Sequence, residues 1–557
     1  MIVRPVGRLR PAGAAVVAAA LALTGCSDGS RGGTPSRPTA SGSASGSGIS
    51  ASARPSGAPG DPPTAGAQAA TTAAVCGRAA PGPTSPPAGA VPVDPGVVGD
   101  LSAKTDAGPP GTTFWLAPGV HRLGSHQFDQ VRPKDGDTYL GAPGAVLDGG
   151  RQNFYAFVGT ATRVAIRHLT VRGFLPPVDQ GVVNHDSGPN WVIEADTLTG
   201  NAGAALMGGQ GEVVRGNCLS DNGQYGLNAC CGRLGKIQVT GNEFVGNNVD
   251  DLERRIPGCG CTGGMKFWDV DGADVVGNWI HDNHGPGIWA DTNNNDFLIE
   301  HNLIEGNDGP AVFYEISYNA VIRDNVIRRN AIVEGKRFSA RKDPFPVAAI
   351  YLSEAGGEPR VPARTDRIDI SGNLLTDNWA GITLWENADR FCNSLANTST
   401  GVCTRLVSRA SSCARPGIAR SPLFGDCRWK TQRVAVHGNW FAIEPAVTGC
   451  TTRCSRMAVL SNYGTFPDWS PYKGPVVQQA IVFRQDNRWY DNTYVGPWLF
   501  TTLDGGTDVG AATWRAEPYR QDRGSTFIGT PSPTSSSPTT STSPSATAAT
   551  ASSAQHS

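Results

Sequence analysis

The sequence predicts an all-β fold, a right-handed parallel β-helix in which short strands stack coil on coil, and three observations predict it. The composition is turn-rich: 70 Gly and 41 Pro among 557 residues, with 39% hydrophobic residues, suit many short strands better than long helices. A six-residue pattern recurs in which Asn is followed by an apolar residue two positions on and by a second Asn five positions on. The recurrence distance, about two dozen residues, leaves no room for a crossover helix, so each strand must pair with its counterpart one repeat away.

In chain order, the first segment carries Arg4, Arg8 and Arg10, an apolar run from Ala14 to Leu23, and then Leu23-Thr-Gly-Cys26. This is the layout of a secretory signal, with an apolar run too short to span a bilayer. Its last four residues resemble the lipobox of bacterial lipoproteins, which implies a signal over 1–26, a diacylated Cys26 and a protein exported and held at the membrane by its lipid alone. Residues 27–75 are Ser, Gly, Ala, Pro and Thr with almost no large apolar side chain, so they cannot offset the entropy of folding and read as a tether. Residues 530–557 return to Ser, Thr, Pro and Ala and read as a disordered tail. One large domain, 76–529, lies between.

Within it the repeats are Asn217-Cys-Leu-Ser-Asp-Asn222, Asn242-Glu-Phe-Val-Gly-Asn247, Asn278-Trp-Ile-His-Asp-Asn283, Asn302-Leu-Ile-Glu-Gly-Asn307, Asn325-Val-Ile-Arg-Arg-Asn330 and Asn373-Leu-Leu-Thr-Asp-Asn378. Their first Asn residues fall about 25, 36, 24, 23 and 48 apart, one coil each with insertions or an unmarked coil in the last gap. Stacked coils would place equivalent Asn side chains in a ladder at the turns. A leucine-rich or hexapeptide solenoid lacks its signature here.

These repeats, together with Phe114-Trp-Leu-Ala-Pro-Gly119 and Gly141-Ala-Pro-Gly-Ala-Val-Leu-Asp148, resemble the pectate-lyase-like superfamily of right-handed β-helix proteins over roughly 111–496. The resemblance implies the fold. It leaves the reaction open, because the superfamily holds lyases, hydrolases, epimerases and non-catalytic proteins.

Removing Cys26 from the 13 cysteines leaves an even set, which fits disulfides in an oxidising compartment. Short separations pair Cys392 with Cys403, Cys413 with Cys427 and Cys450 with Cys454, and expect Cys230 or Cys231 to meet Cys259 or Cys261. A thiolate zinc cluster at the last group is the competing reading, disfavoured by irregular spacing and by export. The formal net charge of -1 leaves no basic field for nucleic acid. Oligomeric state leaves no trace in the sequence, and a monomer is taken as the default.

The strand after each Asn turn aligns as Gly264-Met-Lys-Phe-Trp-Asp269, Gly287-Ile-Trp-Ala-Asp291, Ala311-Val-Phe-Tyr-Glu315, Ala349-Ile-Tyr-Leu-Ser353 and Gly381-Ile-Thr-Leu-Trp385. Alternation sends Met265, Ile288, Val312, Ile350 and Ile382 inward, with Phe267, Ala290, Tyr314, Leu352 and Leu384. Outward go Lys266 and Trp268, Trp289 and Asp291, Phe313 and Glu315, Tyr351 and Ser353, Thr383 and Trp385. Grouped exposed aromatics mark a contact surface, and flat rings stack on sugar faces, so the partner is a polysaccharide. The alternative is that a loop or the Cys-rich insertion near 391–433 covers the stripe.

Carboxylates gather at one end of the stripe: Asp291 and Glu315 on adjacent coils, with Asp269, Glu354 and Glu386 ending neighbouring strands. As a glycosidase pair, Asp291 and Glu315 would supply the acid and the base or nucleophile. As a lyase or epimerase of a uronic acid polymer, Lys266 would be the base, and Asp291 with Glu315 would hold a hard cation such as Ca²⁺. Trp268, Trp289, Phe313, Tyr351, Trp385, Glu354 and Glu386 would contact substrate. A non-catalytic glycan-binding or structural surface protein is the third reading. Asp291-Thr-Asn-Asn-Asn-Asp296 resembles the start of a calcium loop but lacks its Gly and distant Glu, and an Asn-rich turn fits it as well. His281 and His284 are read as turn histidines ahead of acid–base groups.

Overall fold

The structure, a computed structural model, describes residues 74–78, 81–230, 232–256, 260, 263–395, 406–408, 410–450 and 454–529. The chain divides into two compact units, Met1–Ser56 and Gly57–Ser557, and every described residue belongs to the second. The expected signal over 1–26, Cys26, the tether up to residue 73, the tail over 530–557, and Cys231, Cys259, Cys261 and Cys403 lie outside the described residues.

Strands of mostly three to five residues wind as a parallel β-helix of three sheets, two of 13 strands and one of 11 among the described residues. Every sheet grows by pairing a strand with its equivalent one coil on, in parallel. Among the described strands, one pair is antiparallel, joining Leu499–Leu503 to Thr507–Val509 at the C-terminal end. There, helix Ala511–Arg515 buries Trp514 against the last coil, while helix Asp100–Ala107 buries Leu101 at the N-terminal end. Such caps keep the open ends of a solenoid from pairing with another chain.

The inward set is borne out in full. Met265, Ile288, Val312, Ile350 and Ile382, with Phe267, Ala290, Tyr314, Leu352 and Leu384, are all buried in one continuous core. The Asn residues form two ladders at the turns. In one, Asn217 donates to Asn242, Asn242 to Asn278, Asn278 to Asn302 and Asn302 to Asn325, at 2.9–3.0 Å. The other runs through Asn222, Asn247, Asn283, Asn307 and Asn330. Each amide also bonds backbone of the adjacent coils, as Asn278 does with Val239 O and the Asn242 N–H, so turn groups that a buried bend would leave unpaired are satisfied.

The ladder also explains the irregular spacing. Asn325 donates directly to Asn373 Oδ1 at 2.9 Å across 48 residues, so the gap is one coil carrying an insertion that contains helix Ile332–Ala340. It continues through Asn439 and Asn492, where the flanking pattern had decayed too far to read. Of the expected disulfides, Cys413–Cys427 and Cys450–Cys454 form. Cys76–Cys218 was not foreseen; it ties the segment preceding the first coil to the middle of the solenoid across 142 residues.

Candidate functional site

The 11-stranded sheet carries the stripe. Register places Lys266, Trp289, Phe313, Tyr351 and Thr383 in one column, and Trp268, Asp291, Glu315, Ser353 and Trp385 in the next. Stacking coils thus bring together residues more than a hundred positions apart, all on the outer face of one sheet. The rings stack on one another: Trp289 on Phe313 at 5.0 Å and Phe313 on Tyr351 at 4.7 Å. Offset stacks of this kind stabilise neighbouring coils as well as offering a flat surface.

The expected open groove is where the structure differs. Trp289 is 3% exposed, Phe313 5%, Glu315 4% and Glu354 0%, while Trp268, Tyr351 and Trp385 keep partial exposure. Two insertions cover the stripe. The one after helix Ile332–Ala340 sets Phe345 edge-on to Tyr351 and Trp385, and Pro346 O accepts the Thr383 hydroxyl at 2.7 Å. The other leaves the strand Ile382–Glu386 and returns at Val434, with a small core of Phe391, Cys392, Cys413, Ile418 and Cys427 closed by Tyr472 from a later segment.

Covering a row of carboxylates with protein is costly unless each meets a positive charge, and the second insertion provides it. Arg390 Nη1 lies 3.3 Å from Glu315 Oε1 and 2.9 Å from Glu354 Oε2. Arg428 pairs with Glu386, which also accepts from Gln485. At the other end of the stripe, Lys266 Nζ sits 3.1 Å from Asp291 Oδ2, 4.0 Å from the centre of the Trp289 ring and 2.6 Å from Gly260 O. Trp289 Nε1 donates to Glu315 Oε2 at 3.3 Å, and Thr292 Oγ1 to Asp291 Oδ1 at 2.7 Å. Asp269 pairs with Arg233 at 3.0 Å.

These environments set the acidities apart. Glu354 is fully buried, and desolvation raises its pKa to about 7 against the opposing pull of Arg390. Glu386 is raised for the same reason, with Arg428 opposing. Burial pushes the Tyr351 phenol well up, and the charges of Glu315 and Glu354 push the same way. Glu354 reaches this position through a left-handed backbone, φ 55°, a conformation that costs a non-glycine residue energy and is held only by its surroundings.

Arg390, Arg428 and Phe345 are the site residues that sequence reasoning missed. The only signal for Arg390 was its place, four residues beyond Glu386 and just ahead of the Cys-rich segment. The carboxylates considered for Ca²⁺, Asp291 and Glu315, are ion-paired with Lys266 and Arg390 instead. Among the described residues no group of three or more His, Cys, Asp or Glu is placed to hold a metal ion. The Asp291–Asp296 segment is an Asn-rich turn, in which Asn294 Nδ2 donates back to Asp291 O at 2.8 Å and Asp296 Oδ1 accepts from Arg364. His281 and His284 belong to a different sheet from the stripe: His281, expected on a turn, ends the strand Trp279–His281 of a 13-stranded sheet and meets Asp282 and Glu243, while His284 lies just beyond that strand against Asp308. Among the described residues no helix is long and apolar enough to cross a membrane.

A family described as the right handed beta helix region matches residues 182–399, and with the parallel ladders above it makes the fold a right-handed parallel β-helix. Among solved structures, the chain is similar to the A-module of the mannuronan C-5 epimerase AlgE4 of Azotobacter vinelandii, with 17% identity, 55% of this chain and 90% of that one covered, and a TM-score of 0.36. The AlgE6 A-module of the same organism gives 15% identity, coverage of 63% and 93%, and a TM-score of 0.39. A tailspike double mutant of Escherichia coli bacteriophage HK620, in complex with a pentasaccharide, gives 11%, 74% and 63%, and 0.32. A sequence search of curated proteins finds no match.

Proposed function

We propose that the chain is an extracellular polysaccharide-active protein that cleaves or modifies a glycan at the outer face of the 11-stranded sheet, with Glu354 as proton donor and Glu315 as its partner carboxylate. The observation that carries this reading is the meeting of the two carboxyls on a single guanidinium nitrogen beside the aromatic ladder, with Glu354 held at about 7. Glycosidic cleavage needs two carboxyls of unequal acidity, one protonated to release the leaving oxygen and one ionised to attack or to activate water. Distances of 3.3 and 2.9 Å to one nitrogen keep the nearest carboxylate oxygens closer than the ~6.5 Å at which inverting pairs begin, which supports a retaining geometry with Glu315 as nucleophile. Substrate entry on this reading requires the segment bearing Arg390 to swing aside, as lids over buried sites do.

Lys266 and Arg390 favour a second reaction type at the same place. On a uronic acid polymer, Arg390 would neutralise the sugar carboxylate; Lys266, after passing its ammonium proton to the adjoining Asp291, would take the adjacent sugar proton as the neutral amine, with the protonated Tyr351 phenol as donor. Incubating the purified protein with acidic and neutral polysaccharides, with and without chelator, separates the readings. New reducing ends alone mark a hydrolase, unsaturated-product absorbance a lyase, an altered uronate ratio an epimerase, and binding without product a non-catalytic platform. Neither product nor binding on any polymer would end the proposal.

The reading includes export and acylation of Cys26. Three disulfides between described cysteines support an oxidising compartment. Fatty-acid labelling that survives Cys26→Ala would overturn the anchor.

A further inference from the structure

The geometry points to a second saccharide-binding site, on the 13-stranded sheet that carries Trp279–His281, separate from the stripe and independent of its chemistry. A cleft of about 340 Å³ opens there, lined by Trp279, His281, Asp282, Glu305, Gly306 and Arg329. That is the lower end of the ~300–1,000 Å³ range of small-molecule sites, with room for one or two sugar rings. The strand Trp279–His281 sends Ile280 into the core and turns Trp279 and His281 outward, where their rings stack 4.0 Å apart at 21°.

Each lining group is held in place before any ligand arrives. The Trp279 indole N–H donates to Glu305 Oε1 at 3.1 Å, and Glu305 Oε2 accepts from Arg328 Nε at 2.6 Å and Arg329 Nη2 at 2.9 Å. His281 lies between Asp282 Oδ2, 2.8 Å from Nδ1, and Glu243 Oε1, 3.2 Å from Nε2. Glu243 in turn is anchored by the backbone N–H groups of Val75 and Cys76 at 2.6 and 2.8 Å. Gly306, at φ +65°, keeps the floor open: a Cβ there would fall 2.5 Å from Asp282 Oδ1. Binding to groups already fixed loses little further entropy.

The pairing also defines the ligand. Glu305 is answered by two arginines, Arg328 and Arg329, and with Glu243 and Asp282 beside His281 the carboxylates outnumber the arginines, so the cleft has no cationic surplus to select an anion. It offers a rigid ring with a rim of acceptors and donors, the Asp282 side chain 70% and the Arg329 side chain 53% exposed. A neutral, hydroxyl-rich sugar fits this combination, its C–H face on the indole and its vicinal hydroxyls on Asp282 and Arg329.

Titration calorimetry of the intact protein with cellohexaose, xylohexaose and chitohexaose, and with an oligomannuronate as the acidic counterpart, tests this. At least one neutral oligosaccharide is expected to bind in preference to the oligomannuronate. Trp279→Ala and Asp282→Asn are each expected to weaken that binding about tenfold or more, and Trp279→Tyr to restore part of it. Asp282 is mostly exposed, so its replacement leaves folding intact even if Trp279→Ala does not. Glu354→Gln, on another sheet, is expected to leave it unchanged. Absence of binding by every neutral oligosaccharide, wild-type affinity in Asp282→Asn, or a loss confined to Glu354→Gln would each overturn the assignment; the last would move the sugar to the stripe without touching the function proposed there.

Discussion

Glu315 and Glu354 stand on neighbouring coils and reach the same nitrogen, Arg390 Nη1, at 3.3 and 2.9 Å. Glu354 is fully buried, and desolvation outweighs the pull of Arg390, so its pKa is raised to about 7. Activity that depends on Glu354 as an acid should therefore be high below pH 7 and fall with a basic limb near that value. Glu354→Gln should remove the limb and lower kcat by roughly 10²–10⁴-fold. A pH–rate profile of the two proteins checks it; an unchanged limb in the variant assigns the proton to another group.

At pH 8, where Glu354 is ionised, Arg390→Met should destabilise the fold by roughly 3–5 kcal/mol, because it leaves the buried Glu354 carboxylate without the charge of Arg390. Adding Glu354→Gln should return part of that loss. Urea unfolding of the two single variants and the double variant reads the coupling, and strict additivity would mean that the ion pair has no energetic weight.

Glu212 carries a testable pH signature away from the site. It is fully buried, and desolvation raises its pKa to about 8. Above the ordinary carboxyl value the unfolded chain releases this proton while the folded chain keeps it, so stability falls as pH rises from about 4.5 to about 8. Glu212→Gln keeps an acceptor for the Gly209 N–H and cannot ionise. Its melting temperature relative to wild type should rise across that window and be flat below it.

Asn278→Ala should interrupt a ladder at its middle. The Asn242 N–H and Val239 O both lose their side-chain partner, at roughly 1–3 kcal/mol for each buried group left unmatched. Chemical denaturation measures the loss, and an effect below 1 kcal/mol would show that water replaces the amide.

Removing the Cys76–Cys218 bond by Cys218→Ala should free the segment docked on Glu243. Closing a loop of 142 residues is worth about 5 kcal/mol at most in the chain-entropy account. Hydrogen exchange at the Val75 and Cys76 amides, which now bond Glu243, should quicken more than at the core strands.

The repeat was legible because its physics is local. Asn spacing and two-residue alternation name the turns and the core-facing side chains, and every residue assigned inward, from Met265 to Leu384, is in the core. Disulfides across 14 and 4 residues were readable for the same reason. The state of the stripe was not. Outward parity says only that these side chains leave the core, whereas the cover over Tyr351 and Trp385 comes from Phe345 and the charges that meet Glu315, Glu354 and Glu386 come from Arg390 and Arg428, all in insertions without any repeat pattern.

The amino-acid sequence by itself determined the coil, its two faces and the columns of rings and acids, since stacking identical short units turns a period along the chain into proximity in space. Only the tertiary structure decided which cation answers each acid, which rings are covered, and that Trp279 and His281 frame a cleft of their own. Those outcomes depend on contacts between segments far apart in the chain, where desolvation and charge pairing act on distance and burial, and neither quantity is written in a repeat.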